Sequence, residues 1–153
     1  MTDKATASVL VEQPKTIWNP NATSNWSLLF TPAFGSWLQM LNWQSLGETE
    51  LASHSRRWFY ATGVVLLLTV FSSAVINNPD TASAVSKAIY IPFLLAWYFL
   101  SGRPQAQYVK QRFGDAYNRR KWTKPLLFAT GIAVLWLGTQ VLLAMLFAAS
   151  SAT

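Results

Sequence analysis

Trp58 to Ile76 reads WFYATGVVLLLTVFSSAVI, nineteen positions without a charge, introduced by Arg56-Arg57. At about 1.5 Å of rise per residue this stretch makes a helix roughly 28 Å long, close to the hydrocarbon thickness of a bilayer. The core helix of a water-soluble domain carries a polar stripe, and this one carries none. It predicts a transmembrane helix. Two further apolar stretches follow: Ala88 to Leu100, at the heart of a helix expected over 81–101, and Pro125 to Ala149. Asp80 is the expected N-cap of the former, Lys87 can snorkel outward, and Pro92 predicts a kink of the kind membrane helices tolerate. The latter would be about 37 Å long if straight and is expected to tilt. The expected fold class is therefore all-α: an integral membrane chain with three transmembrane helices, preceded by an aromatic segment.

Composition agrees. The 153 residues are 52% hydrophobic and 12% charged, about half the charged share of an ordinary soluble domain. There is no cysteine, which excludes disulfides, thiolate chemistry and Cys-based metal sites. His54, the only histidine, lies beside Arg56 and Arg57 and reads as part of a solvated link. No cofactor and no metal are expected. The first fifteen residues lack the apolar core of a signal peptide. Asn21-Ala22-Thr23 and Asn25-Trp26-Ser27 match the glycosylation pattern, on what is expected to be the wrong side of the membrane.

The net charge of +6 is informative for where it sits. Between the second and third spans, in residues 102–124, Arg103, Lys110, Arg112, Arg119, Arg120, Lys121 and Lys124 oppose only Asp115. The loop joining the first two spans has Asp80 and Lys87 alone. Such asymmetry places the basic loop and Arg56-Arg57 inside and 77–87 outside. The expected location is a bacterial inner (cytoplasmic) membrane, multi-pass, with the N-terminus cytoplasmic. Within the loop, Ala106, Val109, Phe113, Ala116 and Tyr117 could share one helical face, weakened at Gly114. Its basic residues are expected to meet anionic lipid headgroups or a protein partner. Nucleic acid is not expected.

The chain divides into a mobile cytoplasmic tail (1–24), an aromatic helix with a polar link (25–57) and a three-helix transmembrane domain (58–153). In the tail only Ile17-Trp18 looks able to dock. Residues 25–46 are apolar enough to enter a membrane, yet Pro32 and Gly35 interrupt them. Phe34, Trp37, Leu38 and Leu41 follow helical spacing, with a break at Ser45, while Ser36, Gln39 and Asn42 fall on the opposite side. Trp26, Trp37, Trp43 and Trp58 are expected to anchor at headgroup level. An interfacial or re-entrant helix is predicted rather than a fourth span, and the re-entrant form requires protein cover around Pro32.

Asn25-Trp26, Phe30, Pro32 and Phe34 form N-W-x-x-x-F-x-P-x-F. This segment resembles the opening of small bacterial inner-membrane proteins of unassigned function, in which it precedes two or three spans. The resemblance covers about a fifth of the chain and implies no catalytic residue.

The residues themselves point away from catalysis. Glu48 and Glu50 are two apart and do not face each other on a helix. No Ser/His/Asp set, phosphate loop or HExxH is present, and no span holds an ionisable residue in its interior, so ion coupling is not expected. Helix contacts are expected instead. Gly131 and Gly138 lie two turns apart and allow close approach. Gln140 lies at the depth of Ser72 and Ser73, which predicts a hydrogen bond between the first and third spans, with self-association through Gln140 as the rival. The expected function is a non-enzymatic accessory or assembly subunit of a membrane complex, bound to a membrane protein partner. The alternatives are a small transport or permeability component working as a homo-oligomer, or an immunity-type membrane protector.

Overall fold

In the computed structural model, residues 15–150 are described; positions 1–14 and 151–153, and the side chains at 140, 143, 144 and 146–150, lie outside the described residues. Among the described residues the regular structure is helical apart from one two-residue parallel pairing, β1 (Thr16–Ile17) with β2 (Asn118–Arg119). The helices are α1 (Pro20–Leu29), α2 (Pro32–Leu46), α3 (Thr49–Val75), α4 (Pro79–Trp97), α5 (Arg103–Phe113) and α6 (Thr123–Ser150). A π turn, Tyr98–Gly102, joins α4 to α5 without a break. Among the described residues, two helices are long and apolar enough to cross a membrane: Thr49–Val75 and the continuous Pro79–Phe113.

Local chemistry sets the boundaries. Asn19 caps α1, its Oδ1 accepting from the amides of Asn21 (3.0 Å) and Ala22 (3.4 Å), with Pro20 in the first turn. Gly47 ends α2 at φ 83°, a left-handed conformation that suits glycine, and the chain folds back so that α3 packs along α2. Asn78, not Asp80, caps α4, accepting from the Thr81 amide at 3.0 Å. Pro79 holds the first helical position and so moves the cap two residues upstream, leaving Asp80 in the first turn, where its charge suits the positive helix end. The π turn has a sequence cause in Pro104. A proline there has no N–H for the Leu100 carbonyl and its ring would collide with it; widening the turn relieves both problems.

The molecule has a head and a stalk. In the head, Ile17, Trp43, Leu46, Ala52 and Val109 form one buried cluster, with Tyr108, Phe113 and Tyr117 packed on it. Phe34, Leu38 and Ala129 form another, ringed by Trp18, Trp26, Phe30, Trp37, Trp122 and Leu126. The buried residues of α3 are Ala52, Ser55 and Thr62, small side chains that let neighbouring helices approach. Beyond Thr62 the stalk is open, with Leu67 70% and Phe71 66% exposed.

Several expectations are corrected. Residues 15–24 are not part of a tail: Ile17 is buried, β1 pairs with the basic loop, and α1 begins at Pro20. Residues 25–46 are not one helix but the greater part of a helical hairpin broken at Phe30–Thr31. Pro32 at the break is fully buried. Helix α5 ends at Gly114, φ 55°, so Ala116 and Tyr117 do not continue its apolar face.

Candidate functional site: a buried polar ladder and its basic rim

Helix α2 and the stretch from Trp97 to Gln105 run in the same direction and are joined by polar side chains. Trp97 Nε1 donates to Ser36 Oγ at 2.8 Å. Ser101 Oγ donates to Gln39 Oε1 at 2.8 Å, and Gln105 Nε2 to the Gln39 carbonyl at 3.0 Å. Asn42 Nδ2 donates to Gln105 Oε1 at 3.3 Å and to the Trp18 carbonyl at 2.9 Å, while Asn42 Oδ1 accepts from the Trp18 amide at 2.9 Å. All of these side chains except Trp18 are buried. On an ideal α-helix Trp97 and Gln105 would point roughly 80° apart, since eight residues overshoot two turns by that angle. The π turn winds more slowly and returns both to the face that meets α2.

Gly35 makes the ladder possible. A Cβ there would lie 1.9 Å from Ser27 Oγ and 2.6 Å from the Trp97 ring, so α1, α2 and Trp97 meet only because this position has no side chain. Gly102 is similar: its Cβ would stand 3.0 Å from Ser24 Oγ. Among the described residues, Gln39 Nε2 and Ser55 Oγ are the buried side-chain polar atoms without a partner. The ladder's amides, hydroxyls and indole do not titrate near neutral pH. They fix geometry; they do not move protons.

The N-terminal strand closes one side. The Asn118 amide donates to the Lys15 carbonyl and the Arg120 amide to the Ile17 carbonyl, both at 2.9 Å. Trp18 Nε1 donates to the Lys121 carbonyl at 3.1 Å, and the Arg120 guanidinium lies 4.7 Å over the Trp18 ring.

The basic residues expected to meet lipid or a partner fall into two groups. Arg112 lies 3.9 Å from Glu48 and donates to the Tyr108 hydroxyl at 3.1 Å. Arg119 reaches Asp115 at 3.4 Å, and Arg120 donates to Ser45 Oγ at 3.0 Å. These three are engaged within the head. Among the described residues, Arg103, Lys110, Lys121 and Lys124 have no carboxylate within ion-pair reach. Arg103 and Lys110 flank a cleft of about 280 Å³ between α1 and α5 that is also lined by Asn21, Asn25, Tyr98 and Gln107. Tyr108 donates to Glu48. Its pKa is raised, first by desolvation and then by the bond to Glu48 and that carboxylate's charge, against a smaller lowering by Arg112.

Of the expected interface anchors, Trp26, Trp37 and Trp58 are partly exposed, whereas Trp43 is enclosed, its ring edge-on to Tyr108 with centroids 5.0 Å apart. Ser36, Gln39 and Asn42, expected on the side of α2 opposite its apolar stripe, are buried in the interior. Ser72 meets the second long helix, its Oγ 3.3 Å from Ser86 Oγ, and Ser73 Oγ donates to the Thr69 carbonyl at 2.9 Å. Side chains added at Gly131 or Gly138 would meet nothing within 4 Å. The Gln140 side chain lies outside the described residues. Sequence periodicity marks Ser36, Gln39 and Asn42 as a stripe; Trp97, Ser101 and Gln105 carry no such signal, because the turn that aligns them is irregular. No family model matches the chain, and no curated protein or solved structure is significantly similar to it.

Proposed function

We propose that this is a three-span membrane protein of a bacterial inner membrane, with its head on the cytoplasmic face, that acts without catalysis as an accessory or assembly subunit of a membrane complex. The observation that carries this reading is the isolation of α6. Helices α3 and α4 pack against each other, whereas among the described residues α6 makes no extended contact with either. Ala129 is the last of its described side chains to be buried; from Thr130 to Thr139 all are exposed except the half-covered Ala133. Leu135 is 71% exposed. An apolar helix with two open glycines, whose described side chains beyond Ala129 are almost all uncovered, suits packing against a helix of another protein. The unpaired cations of the head, together with Arg56 and Arg57, favour the cytoplasmic orientation.

A photo-crosslinking residue at position 135 or 138, activated in native membranes, tests the reading. An adduct with one other protein of defined mass is the expected product. A dimer of this chain as sole product would favour the homo-oligomeric permeability reading, which requires conductance in liposomes. A Lys121→Cys variant labelled by an impermeant reagent in intact cells would reverse the orientation.

A further inference from the structure

The cleft between α1 and α5 stands at the foot of the head, where the apolar stretch of the second long helix gives way to charge. The π turn shapes it. Five residues on an α-helix are about 140° apart, which would send Tyr98 and Arg103 to different sides. Here the Arg103 amide bonds to the Tyr98 carbonyl across the widened turn, which stacks the two positions on the wall of one cleft. Arg103, Gln107 and Lys110 then follow at four- and three-residue steps, one helical face. Opposite stand Asn21 and Asn25 on α1. No acidic residue lines the cleft, and among the described residues neither Arg103 nor Lys110 has an anionic partner. Two cations and three side-chain amides thus surround a space of about 280 Å³, several times the roughly 30 Å³ of a water molecule.

The two elements that form this cleft carry exposed apolar side chains toward one end. Helix α1 runs opposite to α5, since Ser24 approaches Gly102 while Ser27 and Trp97 both close on Gly35. Leu28 and Leu29 on α1 and Phe99 and Leu100 in the π turn therefore lie toward the stalk end, and all four are more than half exposed. A cationic, amide-lined space above a rim of exposed hydrocarbon matches a phosphate joined to acyl chains. A soluble phosphate would have no use for that rim. We propose that this cleft binds the phosphate of one anionic phospholipid of the cytoplasmic leaflet, Arg103 and Lys110 supplying the charge and Asn21, Asn25 and Gln107 the amide donors. The assignment rests on the membrane reading above.

The test uses the full chain in phosphatidylcholine nanodiscs doped with a minor fraction of phosphatidylglycerol, with retained lipid counted by native mass spectrometry. The wild type is expected to keep one phosphatidylglycerol. Arg103→Gln with Lys110→Gln is expected to lower that retention at least about tenfold, given the contribution of each basic residue near a membrane surface. Arg103→Lys with Lys110→Arg should preserve it, as should Lys121→Gln with Lys124→Gln, which removes equal charge elsewhere on the head. Equal loss in the 121/124 variant would overturn the site in favour of a diffuse basic surface. Protein that inserts into the discs yet keeps no anionic lipid overturns the site and leaves the membrane reading standing. Failure to insert overturns both. If inorganic phosphate added to lipid-free protein in detergent protects the 103/110 pair as well as phosphatidylglycerol does, the ligand is a soluble phosphate and the lipid assignment falls.

Discussion

The continuous helix from Pro79 to Phe113 passes through both halves of the molecule, and its two ends are built by opposite rules. From Pro79 to Ala96 it buries only Ala82, leaving Ile91 and Leu95 more than half exposed. From Trp97 to Gln105 it encloses Trp97, Ser101, Gly102 and Gln105. Apolar side chains thus lie outside in the stalk, while polar ones lie inside in the head. In water this would be costly on both counts. In a bilayer the stalk is at home. The head adds to its two buried apolar clusters a set of hydrogen bonds between fixed polar groups, which narrow its geometry because a buried amide tolerates few alternative positions. The two halves should therefore respond differently to substitution.

The largest effect is expected at Gly35. Gly35→Val would drive a branched side chain into Ser27 and the Trp97 ring, an overpacking with no flexible neighbour to absorb it on the indole side. A loss of more than about 3 kcal/mol is expected, read as collapse of the tryptophan-fluorescence melt in mild detergent. Adding Ser27→Gly should restore little, because Trp97 remains. Full rescue by that second change would place the constraint in α1 alone.

Next comes Asn42. Asn42→Ala strips partners from the Trp18 amide and carbonyl and from Gln105, so a cost of about 2–3 kcal/mol is expected. Gln39→Leu makes the sharper comparison. Its amide nitrogen already lacks an acceptor, so the expected cost is nearer 1 kcal/mol, chiefly from the abandoned Ser101 hydroxyl. If the two variants melted alike, the ladder would not be held as the hydrogen bonds imply.

Much of this architecture was legible in the residues. The charge-free run from Trp58 marks a long apolar helix, and Ile17-Trp18 stands out as the docking point of a polar segment. Pro32 announces the break that becomes the hairpin, whereas Gly35, also read as an interruption, lies inside the unbroken α2. The direction of α2 was not legible. A stripe of Ser36, Gln39 and Asn42 reads as an outer face if the interior is assumed apolar, and nothing local says otherwise. Its complement was hidden for a geometric reason: Trp97 and Gln105 share a face only after Pro104 forces the wide turn. Trp43 was misplaced by the same assumption, since an aromatic ring suits a headgroup layer and a packed core equally.

A smaller effect is expected at the head's edge. Tyr108→Phe removes the bond to Glu48 and the one from Arg112, a cost of about 1 kcal/mol or less at this half-open site. The pH dependence is more telling. The folded pKa of Tyr108 lies above its ordinary value, so the folded state holds the phenolic proton more firmly than the unfolded chain does. That contribution is fully present below the unfolded value of about 10 and is lost as pH rises through the folded one. Wild-type stability should therefore fall more steeply on the alkaline side than that of Tyr108→Phe. Parallel alkaline limbs would show that the hydroxyl is free in solution.

The smallest effect belongs to the stalk, at Ser72. Its hydroxyl donates to the Thr69 carbonyl at 2.9 Å and lies 3.3 Å from Ser86 Oγ, so Ser86 supplies the proton if the two serines bond. Removing the Ser72 hydroxyl leaves Ser86 free to turn to its own helix, and hydrogen bonds between membrane helices average only about 0.6 kcal/mol for this reason. Ser72→Ala should therefore change the melt by no more than about that amount, against several times as much at Asn42. Its use is as a register mark. The chain has no cysteine, so Ser72→Cys with Ser86→Cys can be oxidised in native membranes without background, and an intramolecular link is expected. The pair Ser72→Cys with Gln140→Cys should not close, because the described side chains of α6 from Thr130 to Thr139 are open apart from the half-covered Ala133. Efficient closure of that second pair would mean that α6 folds against α3, and the proposal that α6 packs against a helix of another protein would lose its basis.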